Sequence, residues 1–370
     1  RDQPRSRGLG DVYKRQTLDY ILSRFLPKGL AKLDPQVREI LRAALAQARY
    51  MQVPASAAVN EAVKLTRTFR KASASGLVNA VLRRAIGYDL GSAVFADEVE
   101  RLMVLGSAGR DVAAFLHEHY PDEALDILTH TADGGLTSLR ANPLKGTPEA
   151  LCEKLLASGA KTAAPGLLPG SVLARFEGSP AESGLFRDGY FHVEGQASQL
   201  AALCVEAKPG DTVLDLCAAP GGKSLLLIEE MGDEGRLVSC DVSENRVQLI
   251  RKAVERMGFA HVEPRVSDGT KPDADLPMVD AILVDAPCSG LGILAKKPDI
   301  RYKTLEKARH DELLATQSAI LDTAAAHLKE GGRLVYSTCT IDPAENEEQV
   351  RAFVGRHLSL IHISEPTRPR

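Results

Sequence analysis

Thr212-Val213-Leu214-Asp215-Leu216-Cys217-Ala218-Ala219-Pro220-Gly221-Gly222-Lys223-Ser224-Leu225-Leu226-Leu227-Ile228 reads as a strand, a tight turn and the start of a helix. Paired glycines let a ligand approach the backbone closely, and the first turn of a helix presents N–H groups that lack intrahelical partners. The turn is not a phosphate-gripping loop, because the four-residue spacer between glycines and the second Gly-Lys are missing. The dinucleotide pattern Gly-x-Gly-x-x-Gly is absent as well. Working outward, residues 235–240 form a second strand that ends in Asp241, and residues 261–266 a third that runs into Ser267-Asp268-Gly269. Ala281-Ile282-Leu283-Val284 and Arg333-Leu334-Val335 are further apolar runs of strand character. From about Ala197 onward helices and strands alternate, which implies a parallel sheet with helices on both faces.

In such a sheet the C-terminal strand ends border the ligand crevice, and an acidic residue ending the second strand is placed to hold ribose hydroxyls. Asp241, Asp268 and Asp285 stand at three such ends. After a Gly-Gly turn they suit an adenosine that carries no phosphate, as in S-adenosylmethionine. Two cysteines fall at the same rim. Cys288 lies in Asp285-Ala286-Pro287-Cys288-Ser289-Gly290, and Cys339 in Tyr336-Ser337-Thr338-Cys339-Thr340. A lone free cysteine is most often a small core hydrophobe. Two, each just past a strand end and one beside Asp-Ala-Pro, point to thiolate chemistry.

The segments 215–224, 285–292 and 336–340 resemble the signature motifs of the Sun (Fmu) family of RNA cytosine-5 methyltransferases. Leu33-Asp34-Pro35 through residues 47–51, then residues 53–63 and residues 76–84, resemble the NusB-like helical domain found in that family's bacterial small-subunit ribosomal RNA members. Thr137-Ser138-Leu139-Arg140-Ala141-Asn142-Pro143-Leu144-Lys145 is similar to the family's connecting RNA-contact segment. The resemblance covers roughly residues 17 to 357. It implies an S-adenosylmethionine-dependent enzyme that methylates carbon 5 of a cytosine in 16S ribosomal RNA. Cys339 would be the nucleophile, Cys288 would assist product release, Asp285 would hold the cytosine edge, and Lys223 would support the site. The cofactor would lie against Cys217, Ala218, Ala219, Pro220, Gly221, Gly222 and Lys223, with Asp241, Asp268 and Asp285. Glu194-Gly195 stands where the family has Gln-Asp. A methyltransferase acting on an exocyclic amine would show a second proline and an aromatic after Asp285, and neither is present. The remaining rival is a NusB-like RNA-binding or assembly module with an inert catalytic domain.

The implied architecture is multidomain. An all-α NusB-like domain occupies residues 17–118, a small α/β RNA-contact subdomain residues 119–190, and a Rossmann-like methyltransferase domain residues 191–357. In the helical part, Asp34 followed by Pro35 is an N-cap with proline at N1. Val37, Ile40, Leu41, Ala44, Leu45 and Ala48 recur at helical spacing after it. Residues 55–68 and 75–86 are two further helices. Arg67, Arg70, Lys71, Arg83 and Arg84 form a phosphate-facing patch there. Arg140, Asn142, Lys296, Lys297 and Arg301 are the other RNA-contact candidates.

The chain has 370 residues, and its formal charge is -3. Residues 1–16 and 358–370 show neither period nor family pattern and read as foreign ends on an internal fragment. They carry excesses of +3 (five basic, two acidic) and +1 (two basic, one acidic), so the remainder is at -7. Any affinity for RNA must therefore come from local patches. No apolar run approaches a membrane span. The six cysteines form no Cys-x-x-Cys pair, so neither a zinc site nor a disulfide framework is expected. The reading is of a cytoplasmic monomer that binds RNA without metal or membrane.

Overall fold

The computed structural model describes residues 9–130, 135–357 and 360, with side chains from Lys14 onward. Residues 1–8 and, apart from Leu360, 358–370 lie outside the described residues. The described chain forms two compact units. One holds the residues before 131 together with Ile293–Glu306, and the other holds residues 135–292 and those from Lys307 onward.

The first unit is helical: α1 (Leu9–Ser23), α2 (Pro35–Tyr50), α3 (Ala55–Thr68), α4 (Ser75–Ala85), α5 (Glu98–Leu105), α6 (Arg110–His119) and α7 (Ala124–Thr129). The Asp34 side chain accepts from the Gln36 N–H at 2.9 Å and caps α2, with Pro35 at its first position. Of the residues expected on the apolar face of α2, Val37, Ile40, Leu41, Ala44 and Leu45 are buried, and Ala48 is half-buried. The five buried residues pack with Leu18, Ile21 and Leu22 of α1 and Val78, Val81 and Leu82 of α4 into one core.

α1 begins earlier than the missing helical period of residues 1–16 suggests. Its helix starts at Leu9, inside the stretch set aside as foreign. Gln16 donates its backbone N–H to Ser107 Oγ at 3.2 Å, and the Lys14 ammonium lies 5.5 Å from the Tyr50 ring centre. Deleting residues 1–16 would leave α1 with residues 17–23, too short to hold a helix without its first turns. The expected result is a melting temperature lower by roughly 3 °C or more. An unchanged melting temperature in a calorimetric scan would place residues 9–16 outside the cooperative fold.

The second unit has two sheets. The smaller is antiparallel, in the order β2-β3-β1-β4, and comprises β1 (Thr137–Ala141), α8 (Pro148–Ala157), β2 (Thr162–Pro165), β3 (Ser171–Arg175), α9 (Gly184–Arg187) and β4 (Phe191–Val193). β4 pairs with β1, so Phe191 belongs to this subdomain and not to the methyltransferase domain in which the sequence reading placed it.

The larger sheet is parallel, in the order β7-β6-β5-β8-β9. Its elements are α10 (Gln196–Leu203), β5 (Thr212–Asp215), α11 (Gly222–Glu230), β6 (Arg236–Asp241), α12 (Glu244–Met257), β7 (Val262–Val266), β8 (Val279–Asp285), α13 (Lys307–His327), β9 (Leu328–Ser337) and α14 (Glu347–Arg356). Side chains alternate across a strand. Val213, Leu237, Ala281 and Leu283 therefore pack in the cluster that includes α11 and α12 residues, while Leu214, Val238, Ile282 and Val284 pack with Ile320 and Ala324 of α13. β5 and β8 are central neighbours, which puts the Gly-Gly turn beside Asp285. Among the described residues no helix is long and apolar enough to cross a membrane.

Candidate active site

Asp215 ends β5 fully buried and accepts a 2.7 Å hydrogen bond from Ser224 Oγ, which in turn accepts one from Ser239 Oγ at 3.0 Å. Burial pushes the Asp215 carboxyl up to about 7. This chain of hydroxyls ties the strand end to the first turn of α11 and shapes the loop between them. Gly221 adopts φ 108°, a left-handed value that favours glycine, and an added Cβ there would sit 3.4 Å from Ile250 Cα. No side chain caps the N-terminus of α11. Its leading N–H groups can therefore receive a ligand.

Asp241 ends β6 and is 2% exposed. One carboxylate oxygen accepts from the Ser243 N–H at 3.3 Å. The other lies 3.3 Å from Arg246 Nη1, an ion pair whose geometry is not that of a hydrogen bond, so among the described residues that oxygen is a buried acceptor without a donor. A hydroxyl group arriving at the strand end would satisfy it. Asp268 is engaged differently: Lys271 and Thr270 donate to it and pull its carboxyl down to about 2. It is an anion whose oxygens are already engaged locally. Cys217 and Cys240, pushed up to about 12 by burial, are inert thiols packed in the sheet.

Asp285 ends β8 opposite Ser337 of β9. It accepts from Lys223 Nζ at 2.7 Å and from Ser337 Oγ at 2.9 Å. Burial alone would lower the Lys223 ammonium, but the charge and hydrogen bond of Asp285 raise it above its ordinary value. Lys223 is therefore a fixed cation.

The same β8–β9 register brings the two cysteines together. Ala286 N–H donates to Ser337 O at 2.9 Å, Ser289 Oγ meets Thr340 Oγ1 at 2.7 Å, and Gly292 N–H donates to Cys339 O at 3.0 Å. An added Cβ on Gly292 would sit 2.9 Å from that carbonyl oxygen, so only glycine permits the approach. Cys288 Sγ and Cys339 Sγ stand 3.1 Å apart, and the Cys339 backbone N–H points at Cys288 Sγ at 3.3 Å. The neighbouring Cys339 thiol, then burial, pushes the Cys288 thiol far up, so Cys288 keeps its proton. Cys339 is the exposed member of the pair.

The sequence reading missed the residue that fixes this loop pair. Glu345 is fully buried, and its Oε2 accepts from Ser289 N–H at 2.9 Å and from Gln317 Nε2 at 2.8 Å. Gln317 also donates to Pro287 O at 2.9 Å. In sequence, Glu345 sits in an acidic stretch ahead of α14 that resembles ordinary helix-start chemistry.

Three RNA-contact candidates are structural. Arg140 is 5% exposed and bonds Glu229, Glu230 and the Pro169 carbonyl. Asn142 is 1% exposed and donates to the Gly189 and Met257 carbonyls. Arg301 is buried and donates to the Gly106 carbonyl at 2.9 Å. A buried polar group committed to such partners has no donor to offer a phosphate. Lys296, Lys297, Arg83 and Arg84 are exposed. Arg83 also lines an open groove with Asn60, Val63, Lys64, Ser75 and Asn79.

A family model described as 16S rRNA methyltransferase RsmB/F matches residues 202–368, and the NusB family model matches residues 10–87. Both matches reach into the stretches set aside as foreign. The probable ribosomal RNA small subunit methyltransferase B of Bacillus subtilis (strain 168) is 33% identical over 356 residues, spanning 94% of this chain and 78% of that protein. The crystal structure of PH0851 is similar with a TM-score of 0.75 at 27% identity, covering 94% of this chain and 79% of that one. The structure of NSun6 from Pyrococcus horikoshii with SFG gives 0.60 at 21% identity, covering 66% and 87%, and bears on the fold alone.

Proposed function

The chain belongs to the 16S rRNA methyltransferase RsmB/F family, whose members depend on S-adenosylmethionine, and on that premise we propose that it methylates carbon 5 of a cytosine in small-subunit ribosomal RNA through a covalent Cys339–cytosine intermediate. The observation that carries the reading is the pair of sulfurs 3.1 Å apart at the ends of adjacent parallel strands.

Carbon 5 of cytosine is a poor nucleophile. Addition of the Cys339 thiolate to carbon 6 makes carbon 5 enamine-like. S-adenosylmethionine, when bound, supplies an electrophilic methyl group. Transfer of the C5 proton to solvent water acting as base, and departure of the Cys339 sulfur as a thiolate, then restore the ring. Asp285, held by Lys223 and Ser337, offers its carboxylate to the cytosine edge. Cys288, kept as a thiol, is the proton-bearing partner at release. The residues fit the cofactor: uncapped N–H groups follow the Gly221 turn, and Asp241 carries an unsatisfied buried oxygen. Gly221 and Gly222 would face its methionine part and Asp241 its ribose. RNA would be held by exposed cations such as Arg83, Arg84, Lys296 and Lys297. A base inside folded RNA must be splayed out to reach the crevice.

Asp241→Ala should weaken S-adenosylmethionine binding at least tenfold, about 1.4 kcal/mol, with the fold intact. Unchanged affinity by calorimetry would remove the ribose assignment. The decisive test of the whole reading is bisulfite mapping of small-subunit ribosomal RNA from cells with and without this gene. A 5-methylcytosine that disappears with the gene supports it, and an unchanged map sinks it. An inert catalytic domain would instead show no S-adenosylmethionine binding at all.

A further inference from the structure

Behind the Cys288 loop, three ligand-bearing side chains converge that have no part in the chemistry above. His310 lies in the first turn of α13, Asp342 caps the short 3-10 turn Pro343–Glu345, and Glu345 ends that turn. One donor atom from each lies within 4.8 Å of the other two. Donor atoms around a first-row divalent ion, held at about 2.0–2.2 Å, stand about 3 to 4.4 Å apart.

Two independent observations point to a cation at this cluster. The Glu345 side chain is fully buried, its Oε2 is taken by Ser289 and Gln317, and its Oε1 has no hydrogen-bond partner among the described residues. No Lys or Arg pairs with Glu345 or Asp342 among those residues either. A buried carboxylate left this way is costly unless something positive meets it. The second observation is His310 Nε2, which stands 2.9 Å from Asp342 Oδ2 and yet makes no hydrogen bond to it. Two donor atoms in contact but not aligned on each other are arranged as ligands of a shared ion are.

We infer that His310, Asp342 and Glu345 form a divalent-cation site. One imidazole nitrogen with two carboxylate oxygens suits Mn²⁺ or Zn²⁺. Ca²⁺, which takes six to eight oxygens, fits poorly. The ion would neutralise two buried carboxylates and fasten the start of α13 to the turn after Cys339. Through Glu345 and Ser289 it would also stiffen the loop of Cys288. The sequence reading expects no metal, having weighed only the cysteine spacings.

The test uses the full chain, stripped with a chelator and titrated with Mn²⁺ while free Mn²⁺ is read by electron paramagnetic resonance. Mn²⁺ is the probe because the Cys288 and Cys339 thiols compete poorly for it. The expected result is one ion per chain, with affinity weakened at least tenfold by His310→Ala and by Glu345→Gln and unchanged by Cys288→Ala. Saturating Mn²⁺ should raise the melting temperature of the native chain and leave that of His310→Ala unmoved. His310 is 33% exposed, so its replacement keeps the fold even if Glu345→Gln does not. Absence of stoichiometric binding at millimolar Mn²⁺, or binding that His310→Ala leaves intact, overturns the site.

Discussion

Cys339→Ala should abolish methylation and leave no protein–RNA adduct on a denaturing gel, whereas Cys288→Ala should lose turnover but accumulate that adduct. The asymmetry follows from the positions of the two sulfurs. Cys339 is exposed to the crevice, so its replacement removes the nucleophile before any bond to RNA forms. Cys288 is more enclosed and keeps its proton, because the neighbouring sulfur and burial both disfavour its thiolate. Its replacement spares the addition and removes the proton-bearing partner at release. The adduct should need both RNA and S-adenosylmethionine, and the double variant should show none. The reverse pattern, with adduct in Cys339→Ala and none in Cys288→Ala, would move the nucleophile to the Asp-Ala-Pro-Cys segment. Methylation with both cysteines replaced would remove covalent catalysis altogether.

Much of this site was legible in the sequence because its parts sit at strand ends. An apolar run followed by Asp or Cys places that residue at a rim, whatever the loops do. The parallel sheet and the placing of both cysteines at one rim follow from period and strand ends; their meeting depends on the pairing of β8 with β9. The residues that hold the loops were not legible. Glu345 acts through Ser289 and Gln317, which come from a different strand end and a different helix. No local pattern marks such a partner. Three RNA-contact candidates, Arg140, Asn142 and Arg301, proved buried for a related reason. A basic side chain in a mixed, Gly- and Pro-rich segment looks solvated, and only the fold reveals that carboxylates wait for it. The helical start at Leu9 was hidden because residues 1–16 are strongly polar and lack an apolar stripe.

Arg140→Ala tests that last distinction, and it should cost stability rather than RNA affinity. The guanidinium donates to Glu229 at 2.7 Å, to Glu230 at 2.9 Å and to the Pro169 carbonyl. The Glu229 side chain is 3% exposed. Burial already raises its carboxyl above the ordinary range, against the opposing pull of His192 and Arg140. Removing Arg140 leaves the buried Glu229 carboxyl with only the His192 imidazole, 3.8 Å away, beside it, and breaking a buried pair costs about 3–5 kcal/mol. The loss should also depend on pH in a defined direction. Without Arg140 the folded state favours protonated Glu229 still more, while the unfolded chain ionises it at its ordinary value. The folded state then binds more protons than the unfolded one, so stability falls as pH rises between those two values. The deficit in urea denaturation should therefore be smaller at pH 5 than at pH 8. Unchanged stability together with weakened RNA binding would restore Arg140 as an RNA contact and overturn its assignment to the interior.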